Sequence, residues 1–218
     1  MQVLKESDER VYEALNSLLE MGGTLIFPTD TVYGIGGSPW DERALSLVSR
    51  LKGRDPSQPF TLHLASLASI EKFARLDDRS RRVLERFLPG QFTFILPATD
   101  AAPRASVLNG KVGIRVPANP FFQSIMRKLD RPLFGTSVNR SGEEPLTSIE
   151  MMIEQFSGVD LLVEGETGRT VHSGMGVPSG TRVPSGTGVP SGTGVPSAII
   201  DLTVDPPRAL RGEIPEGL

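Results

Sequence analysis

Residues 22–34 read Gly-Gly-Thr-Leu-Ile-Phe-Pro-Thr-Asp-Thr-Val-Tyr-Gly, and they give the first indication of how this chain folds. The apolar run from Thr24 to Phe27 is rich in residues that favour β-strands, and Pro28 ends it. Threonine, aspartate and tyrosine side chains follow at once, and Gly34 closes the turn. Polar groups at the exit of a buried strand are where α/β proteins place ligand sites. The segment therefore predicts a core strand that leads directly into a candidate site.

Predicted strands and helices alternate on both sides of this segment. The alternation, which no single linker divides, predicts an α/β (α+β) fold in which one twisted, mixed β-sheet is flanked by helices. We expect a single domain over residues 1–218. The predicted strands cover residues 24–28, 60–65, 91–97, 111–117, 132–137, 159–163 and 198–203. The predicted helices cover residues 7–21, 41–51, 121–129 and 147–156, with a two-part helical region that ends at Leu88.

Composition narrows the class of protein. The 218 residues are 38% hydrophobic, which is enough for one sizeable core. Lys and Arg number 23 against 26 Asp and Glu, so the formal charge of -3 argues against general nucleic-acid binding but leaves a local basic groove open. The chain has no cysteine, its N-terminus is too charged for a secretory signal, and no apolar run reaches the ~20 residues of a membrane span. We therefore expect a cytoplasmic protein that does not contact membranes.

A repeated hexapeptide interrupts the alternation. Residues 176–197 contain Gly-Val-Pro-Ser-Gly-Thr units, one of which begins with Arg182 and the last of which stops at Ser197. Glycine does not fall at every third position, which excludes a collagen helix, and the units are too short and polar to stack as a solenoid. We predict a flexible Gly/Pro/Ser-rich insertion at about 174–196, with Ser197 alone fixed to the core. A dedicated binding element is the alternative.

Two cations, Lys52 and Arg54, follow the second predicted helix. Cations favour a helix C-terminus through the helix dipole alone, so a purely structural role is one interpretation. Pro56 and Pro59 stiffen the loop, which favours the other interpretation, a grip for nucleotide phosphates. The chain has no P-loop and no dinucleotide-binding glycine motif after a strand. A nucleotide must therefore be held in another way.

Polar groups at two strand exits raise a choice between a local turn and a ligand site. Thr29, Asp30 and Thr31 can form a turn capped by side chains. Tyr33 and the neighbouring glycines favour a small-ligand site instead, since such a ligand needs hydroxyl partners and close backbone approach. Ser-Val-Asn at 137–139 repeats the pattern after a later predicted strand.

Arg115 and His63 stand inside predicted strands. Arg115 is a charge among apolar neighbours, and it requires an anionic partner from the protein or from a substrate. A lone strand histidine is usually structural, and only its closeness to the loop carrying Lys52 and Arg54 makes His63 a candidate. His172 has no carboxylate or histidine at ligand spacing, so we expect no protein-based metal site.

The polar inventory indicates a class of reaction. The chain lacks the ordered serine, histidine and aspartate or the carboxylate pair of common hydrolases. Hydroxyls, amides and cations instead suit a reaction driven by positioning and charge neutralisation, as in phosphoryl or nucleotidyl transfer. The candidate cations are Lys52, Arg54, Arg115 and Arg211.

A second group of basic residues, on the helical region that ends at Leu88, has two interpretations. A solvated helix face is the simpler one, and a weak tRNA contact is the alternative. The residues are Arg75, Arg79, Arg81, Arg82 and Arg86.

Taken in order, these segments resemble the YrdC-like threonylcarbamoyl-AMP synthases of the TsaC type over nearly the whole chain. Each motif is short, but their order and spacing together are specific. The matching segments are Pro-Thr-Asp-Thr-Val-Tyr-Gly at 28–34, Lys-Gly-Arg at 52–54, Pro-Phe-Thr-Leu-His at 59–63, Pro-Gly-Gln-Phe-Thr at 89–93, Arg-Val-Pro at 115–117, Thr-Ser-Val-Asn at 136–139, Ser197 and Arg211.

The resemblance implies a YrdC-like fold and an L-threonylcarbamoyladenylate synthase. Such an enzyme forms threonylcarbamoyl-AMP from L-threonine, bicarbonate and ATP and releases pyrophosphate, with Mg²⁺ held mainly through the phosphates. The product passes to a tRNA threonylcarbamoyl transferase complex, which modifies the adenosine next to the anticodon. The alternative is a non-catalytic or differently specific paralogue that binds RNA or nucleotide.

The resemblance also assigns residues. It gives catalytic roles to Lys52 and Arg54 and implies no metal ligand. The residues that it assigns to ATP are Lys52, Arg54, Ser137, Asn139 and Arg211. Those that it assigns to L-threonine are Thr29, Thr31, His63, Arg115, Thr136 and Ser197. The chain departs from the family pattern at Val138 and Ala198, where alanine and threonine are usual.

Overall fold

The computed structural model describes residues 1–165 and 193–218, in which one β-sheet carries five α-helices. The strands are β1 (Gln2–Lys5), β2 (Thr24–Phe27), β3 (Gly34–Gly37), β4 (Thr61–His63), β5 (Phe92–Pro97), β6 (Val107–Leu108), β7 (Lys111–Arg115), β8 (Leu133–Ser137), β9 (Leu161–Glu164), β10 (Ala198–Asp201) and β11 (Arg208–Arg211). The helices are α1 (Val11–Glu20), α2 (Glu42–Lys52), α3 (Asp78–Phe87), α4 (Pro120–Leu129) and α5 (Ile149–Gln155), with 3-10 turns at Leu67–Lys72 and Arg104–Ser106. None of the helices in these residues is long and apolar enough to cross a membrane.

The sheet is mixed and has the strand order β1-β9-β2-β3-β8-β4-β7-β5-β10-β11, with β6 also paired to β7. Strand β9 is parallel to β1 and β2, whereas β2, β3 and β8 pair in antiparallel fashion. A single mixed sheet flanked by helices is the fold class that the sequence predicts, and the prediction is confirmed. Residues 166–192, which contain His172 and most of the insertion expected at about 174–196, lie outside the described residues.

Helices pack on both faces of the sheet. Leu25 and Phe27 of β2 belong to a core cluster with residues of α1 and α4. Ile26, whose side chain points to the other face, belongs to a cluster with residues of α2 and α5. Burial on both faces explains why β2 reads as an unbroken apolar run. The loop that follows it, residues 28–33, therefore starts from the interior of the molecule.

Both ends of α2 are fixed by local capping contacts. Asp41 is the N-cap, and its Oδ1 accepts a hydrogen bond of 2.8 Å from Ala44 N. Gly53 ends the helix in the left-handed conformation, with φ of 60°, which glycine adopts without steric cost. Lys52 is thus the last helical residue, and Arg54 lies just outside the helix.

Strand β3 is an element that the sequence pattern did not predict. Its sequence, Gly-Ile-Gly-Gly, has low strand propensity. A Cβ at Gly36 would collide with the carbonyl oxygen of Phe134 on β8, so glycine is required by the close approach of the two strands. Helix α1 also begins later than predicted, at Val11, and β1 and β11 were not expected as strands.

Asp201, at the end of β10, ties the sheet to the chain that follows. Its carboxylate accepts hydrogen bonds from Lys111 Nζ at 2.9 Å and from Thr203 N and Oγ1 at 2.8 and 2.6 Å. Burial opposes its ionisation, but the hydrogen bonds from Thr203 and Lys111 outweigh burial and lower the pKa of Asp201. The folded state therefore prefers the ionised carboxylate.

We expect Asp201→Asn to lower the free energy of unfolding by about 1–2 kcal/mol at pH 7, because it removes the charge from an acceptor of these bonds. A carboxyl with a lowered pKa stabilises the folded state above its ordinary pKa, and the contribution is lost as the pH falls. The difference from wild type should shrink below about pH 4 in urea unfolding. Asp205→Asn, at a carboxylate that is 84% exposed, is the control. A difference that does not change with pH contradicts this account.

Candidate active site

The ends of several strands meet around a cavity of about 280 Å³. Its lining comes from the loop after β2, the loop after α2, the segment before β10, and strands β3, β4, β5, β7, β8, β10 and β11. The volume is close to that of sites for small molecules, which begin at about 300 Å³. The cavity lies where the sequence places its candidate site.

Most of the residues assigned by resemblance share this cavity. Those in its lining are Thr29, Arg54, His63, Arg115, Thr136, Ser137, Ser197 and Arg211. Thr31, Lys52 and Asn139 are buried and do not line it. Their assignment to ATP or L-threonine therefore stays a prediction, and in the structure these three residues lie outside the cavity lining.

The loop after β2 forms both a turn and part of the lining. Thr29 Oγ1 accepts a hydrogen bond from Thr31 N at 3.1 Å and donates one to Val32 O at 2.6 Å. The two interpretations of this segment are thus compatible, because the hydroxyl that shapes the turn also faces the cavity. Thr31, which is 1% exposed, supports the turn from the inside.

Arg115 finds its anionic partner in Asp30. Arg115 Nη2 donates to Asp30 Oδ1 at 2.6 Å, and the side chains are 5% and 6% exposed. Within the described residues, Asp30 Oδ2 and Arg115 Nε are buried without a hydrogen-bond partner. Asp30 was not among the predicted site residues, although a charged arginine in a strand called for such a carboxylate. The pair thus places the Arg115 side chain in the cavity lining and keeps Asp30 outside it.

His63 lies beside Arg115, since the two residues are in register on the parallel strands β4 and β7. The rings of Phe27 and Phe122 contact the imidazole edge-on, with centroids 5.7 and 6.0 Å away. Burial, and then the charge of Arg115, lower the pKa of His63 to about 3. The imidazole is therefore neutral at physiological pH and presents a dipole, not a charge.

Arg54 is held against the cavity by its neighbours. Its guanidinium carbon lies 4.7 Å from the centroid of the Phe60 ring, and Nη2 donates to Pro59 O at 2.6 Å. Nη1 lies 3.4 Å from Thr136 Oγ1, whereas Nε is buried with no partner in the described residues. Burial lowers the pKa of Arg54. The ordinary pKa of a guanidinium is so high that the group nevertheless stays charged. Arg54 therefore places a positive charge in the cavity lining, while its Nε is enclosed by protein.

Lys52 occupies a different environment although it is two residues away. Its ammonium donates to Ser137 O at 2.6 Å, to Asn139 O at 2.7 Å and to Asn139 Oδ1 at 3.3 Å. The side chain is buried, and burial together with the charge of Arg54 lowers the pKa of Lys52 to about 8. All three ammonium protons have acceptors within the protein.

Ser197 is attached to the core at the opposite side of the cavity, as the sequence suggested. Arg211, on β11, donates from Nε to Ser197 O at 2.9 Å and from Nη2 to Ser197 Oγ at 3.3 Å. Ser197 Oγ also lies 3.0 Å from Thr93 Oγ1 on β5. Burial, and then repulsion from Arg115, lower the pKa of Arg211. Thr93 is a lining residue that the sequence analysis did not single out, although it lies in a matching motif.

The residues on either side of 166–192 attach to the loop after β2. Gly165 N donates to the hydroxyl of Tyr33 at 2.8 Å, and Gly194 N donates to Thr31 O at 3.0 Å. Tyr33 is itself a lining residue, and burial is the main cause that raises its pKa to about 12. One loop thus carries site residues and binds the chain at Gly165, before the repeat, and at Gly194, in its last unit.

The basic residues of α3 face solvent and carboxylates. Arg79 Nη1 lies 2.9 Å from Asp205 Oδ1, and Arg81 Nη1 lies 2.6 Å from Glu71 Oε1. These contacts favour the simpler interpretation of that helix as a solvated face.

The fold and the site define a class of protein: a mixed-sheet protein whose strand ends gather three arginines, hydroxyls and a neutral imidazole around a small-molecule cavity. The Sua5/YciO/YrdC family model, described as "Telomere recombination", matches residues 17–175. The chain belongs to the Sua5/YciO/YrdC family, which confirms the family expected from the resemblance.

Curated relatives include threonylcarbamoyl-AMP synthases. The protein of that name from Hydrogenovibrio crunogenus is 33% identical over 156 residues, which are 69% of this chain and 83% of the relative. The one from Pyrococcus abyssi is 32% identical over 149 residues, 66% of this chain, but only 43% of the relative's own length. The uncharacterized protein YciO of Escherichia coli is 28% identical over 161 residues, 72% of this chain and 78% of the relative.

Solved structures have the same fold. The crystal structure of P. abyssi Sua5 complexed with L-threonine matches with a TM-score of 0.78 and 28% identity, covering 96% of this chain and 56% of that one. The crystal structure of E. coli YciO matches with a TM-score of 0.75 and 24% identity, covering 96% and 92%. The likeness to YciO, below 25% identity, supports the fold alone.

Proposed function

We propose that this protein is an L-threonylcarbamoyladenylate synthase, a nucleotidyltransferase that forms threonylcarbamoyl-AMP from L-threonine, bicarbonate and ATP and releases pyrophosphate. The observation that carries the proposal is the gathering, in one cavity, of residues matched to the threonine end and the ATP end of the reaction. The curated relatives named threonylcarbamoyl-AMP synthase support the same enzyme class.

The threonine end is assigned to the part of the cavity around Arg115. Its guanidinium suits a carboxylate, and neutral His63 accepts or donates a hydrogen bond without adding charge. Thr29, Thr136 and Ser197 supply hydroxyls for the polar groups of an amino acid. Thr31 contributes by holding the turn.

The ATP end is assigned to Arg54, Ser137 and Arg211. The chain's part in the reaction is to hold the triphosphate and to neutralise charge as pyrophosphate leaves, which preorganised cations do without reorganisation. Lys52 and Asn139 stand behind these residues. Magnesium is proposed to enter with the ATP phosphates, and the residues that the structure describes contain no group of three or more potential metal-ligating side chains.

The product is proposed to pass to a separate tRNA threonylcarbamoyl transferase complex in the cytoplasm, for modification of tRNA next to the anticodon. A weak tRNA contact through α3 is compatible with this role but not required by it. The main alternative is a paralogue that binds nucleotide or RNA without making the adenylate.

Pyrophosphate release by the purified protein tests the proposal. ATP, L-threonine and bicarbonate are supplied together and then omitted one at a time, and the adenylate is identified by mass spectrometry. Release that requires all three substrates, with threonylcarbamoyl-AMP as product, is expected. Absence of release together with tight RNA binding establishes the alternative.

We expect Ser197→Ala to raise the KM for L-threonine by about tenfold or more, since it removes the hydroxyl that joins Thr93 and Arg211 at the cavity. Steady-state kinetics at saturating ATP measure the effect. Ser191→Ala, in the preceding copy of the repeat and outside the described residues, is the matched control. Equal effects of the two substitutions would show that Ser197 has no special place in the site.

A further inference from the structure

The last residue of α2 is joined to the loop after β8 by both its backbone and its side chain. Lys52 O accepts a hydrogen bond from Ser141 N at 2.8 Å, and Lys52 Nζ donates to Ser137 O, Asn139 O and Asn139 Oδ1. Both Lys52 and Asn139 are buried. The helix end and the loop therefore form one connected unit beside the cavity.

Asn139 uses its hydrogen-bonding groups inside the same unit. Its Nδ2 donates to Arg140 O and to Glu143 O, each at 2.8 Å. Its Oδ1 accepts from Lys52 Nζ and from Ser137 Oγ. An asparagine amide has two N–H donors and one acceptor oxygen, so every group already has a partner.

Lys52 contrasts with Arg54 in the same motif. An ammonium has three donors, and all three of Lys52 have protein oxygens as acceptors, while Lys52 itself does not line the cavity. Arg54 lines the cavity and keeps an unpartnered Nε among the described residues. Lys52 is thus suited to hold protein groups in place, and Arg54 is suited to contact a ligand.

We propose that Lys52 and Asn139 are positioning residues, which fix the loop at 137–141 so that Ser137 stands in the cavity lining beside Arg54, and that they contact no substrate atom. The inference rests on the proposed function for its activity readout. Its central claim concerns the free protein: the loop is ordered by Lys52 before any nucleotide binds.

Hydrogen exchange tests that claim without turnover. In Lys52→Met, the amide protons of Ser141 and Leu146 are expected to exchange about tenfold faster or more than in wild type with no nucleotide present, because three buried oxygens lose their donor. Arg54→Met is the matched control and should leave this exchange unchanged. Unchanged exchange in Lys52→Met overturns the proposal.

Nucleotide binding supplies the second readout. Lys52→Met should weaken ATP and AMP binding by the same factor, since the loop is displaced for both ligands, whereas Arg54→Met should weaken ATP binding more than AMP binding. Asn139→Ala should weaken binding similarly, and the double variant should be no weaker than either single one. A loss in Lys52→Met that grows with the number of phosphates means direct contact and overturns the proposal.

Lys52→Arg keeps the test decisive if Lys52→Met does not fold. A guanidinium retains the charge but cannot direct three donors from one nitrogen at three converging oxygens. Faster loop exchange is expected again, and wild-type exchange with full activity overturns the proposal. Exchange and binding need no adenylate formation, so failure of the proposed function and failure of this inference are separate results.

Discussion

Arg54→Met is expected to lower kcat/KM for adenylate formation by about a hundredfold or more while the protein stays folded. The guanidinium lies over the Phe60 ring, and Arg54 is part of the cavity lining. A preorganised cation lies where negative charge develops during the reaction. It therefore stabilises the transition state more than it stabilises the bound substrate. Most of the loss should therefore appear in kcat at saturating ATP.

The measurement is pyrophosphate release with all three substrates, together with thermal unfolding to establish that the variant is folded. Arg50→Met is the matched control, because Arg50 is an exposed cation on the same helix. Arg54→Lys should recover little, since lysine lacks the planar fork that lies on Phe60. Near wild-type turnover in Arg54→Met rules out the phosphate-grip assignment.

Arg115→Met is expected to have the largest effect on stability, a loss of about 3–5 kcal/mol in the free energy of unfolding. The substitution leaves the carboxylate of Asp30 buried beside an apolar side chain, and its partner at 2.6 Å is gone. Chemical denaturation of wild type and variant measures the difference.

A double variant separates this cause from lost packing. Asp30→Asn combined with Arg115→Met removes both charges and should recover much of the stability, since a neutral pair has no unpaired buried charge. Activity should stay lost, because the cavity then lacks the arginine. If the double variant is no more stable than Arg115→Met, the loss comes from packing and not from the ion pair.

The fold was largely predictable because its central strands have a clear apolar pattern. The run at Thr24–Phe27, buried on both faces, is visible in the sequence alone. Strand β3 was not, because its Gly36 is required by the close approach of Phe134 on β8, a contact distant in sequence. Short edge strands such as β1 and β11 escaped notice because one hydrogen-bonding edge and most of their side chains face solvent.

The sequence predicted which residues gather at the site, but it did not predict which of them line the cavity and which lie outside its lining. Motif order indicated which side chains gather, and most of them line one cavity. It did not indicate that Lys52 points into the protein while Arg54, two residues later, points into the cavity. That difference arises because Gly53 ends the helix between them. The side chain of Lys52 projects from the helix, whereas that of Arg54 projects from the loop that follows. Asp30 escaped assignment because its partner, Arg115, is 85 residues away.

The attachment of Gly165 and Gly194 to one short loop has a consequence for changes in the number of repeat units. A coding sequence with tandem units readily gains or loses whole copies during replication. Each such event changes the chain by six residues, and three whole units, 176–193, lie between Gly165 and Gly194. A change in the number of these units therefore leaves Gly165, Gly194 and Ser197 in the chain, together with the loop that binds the first two.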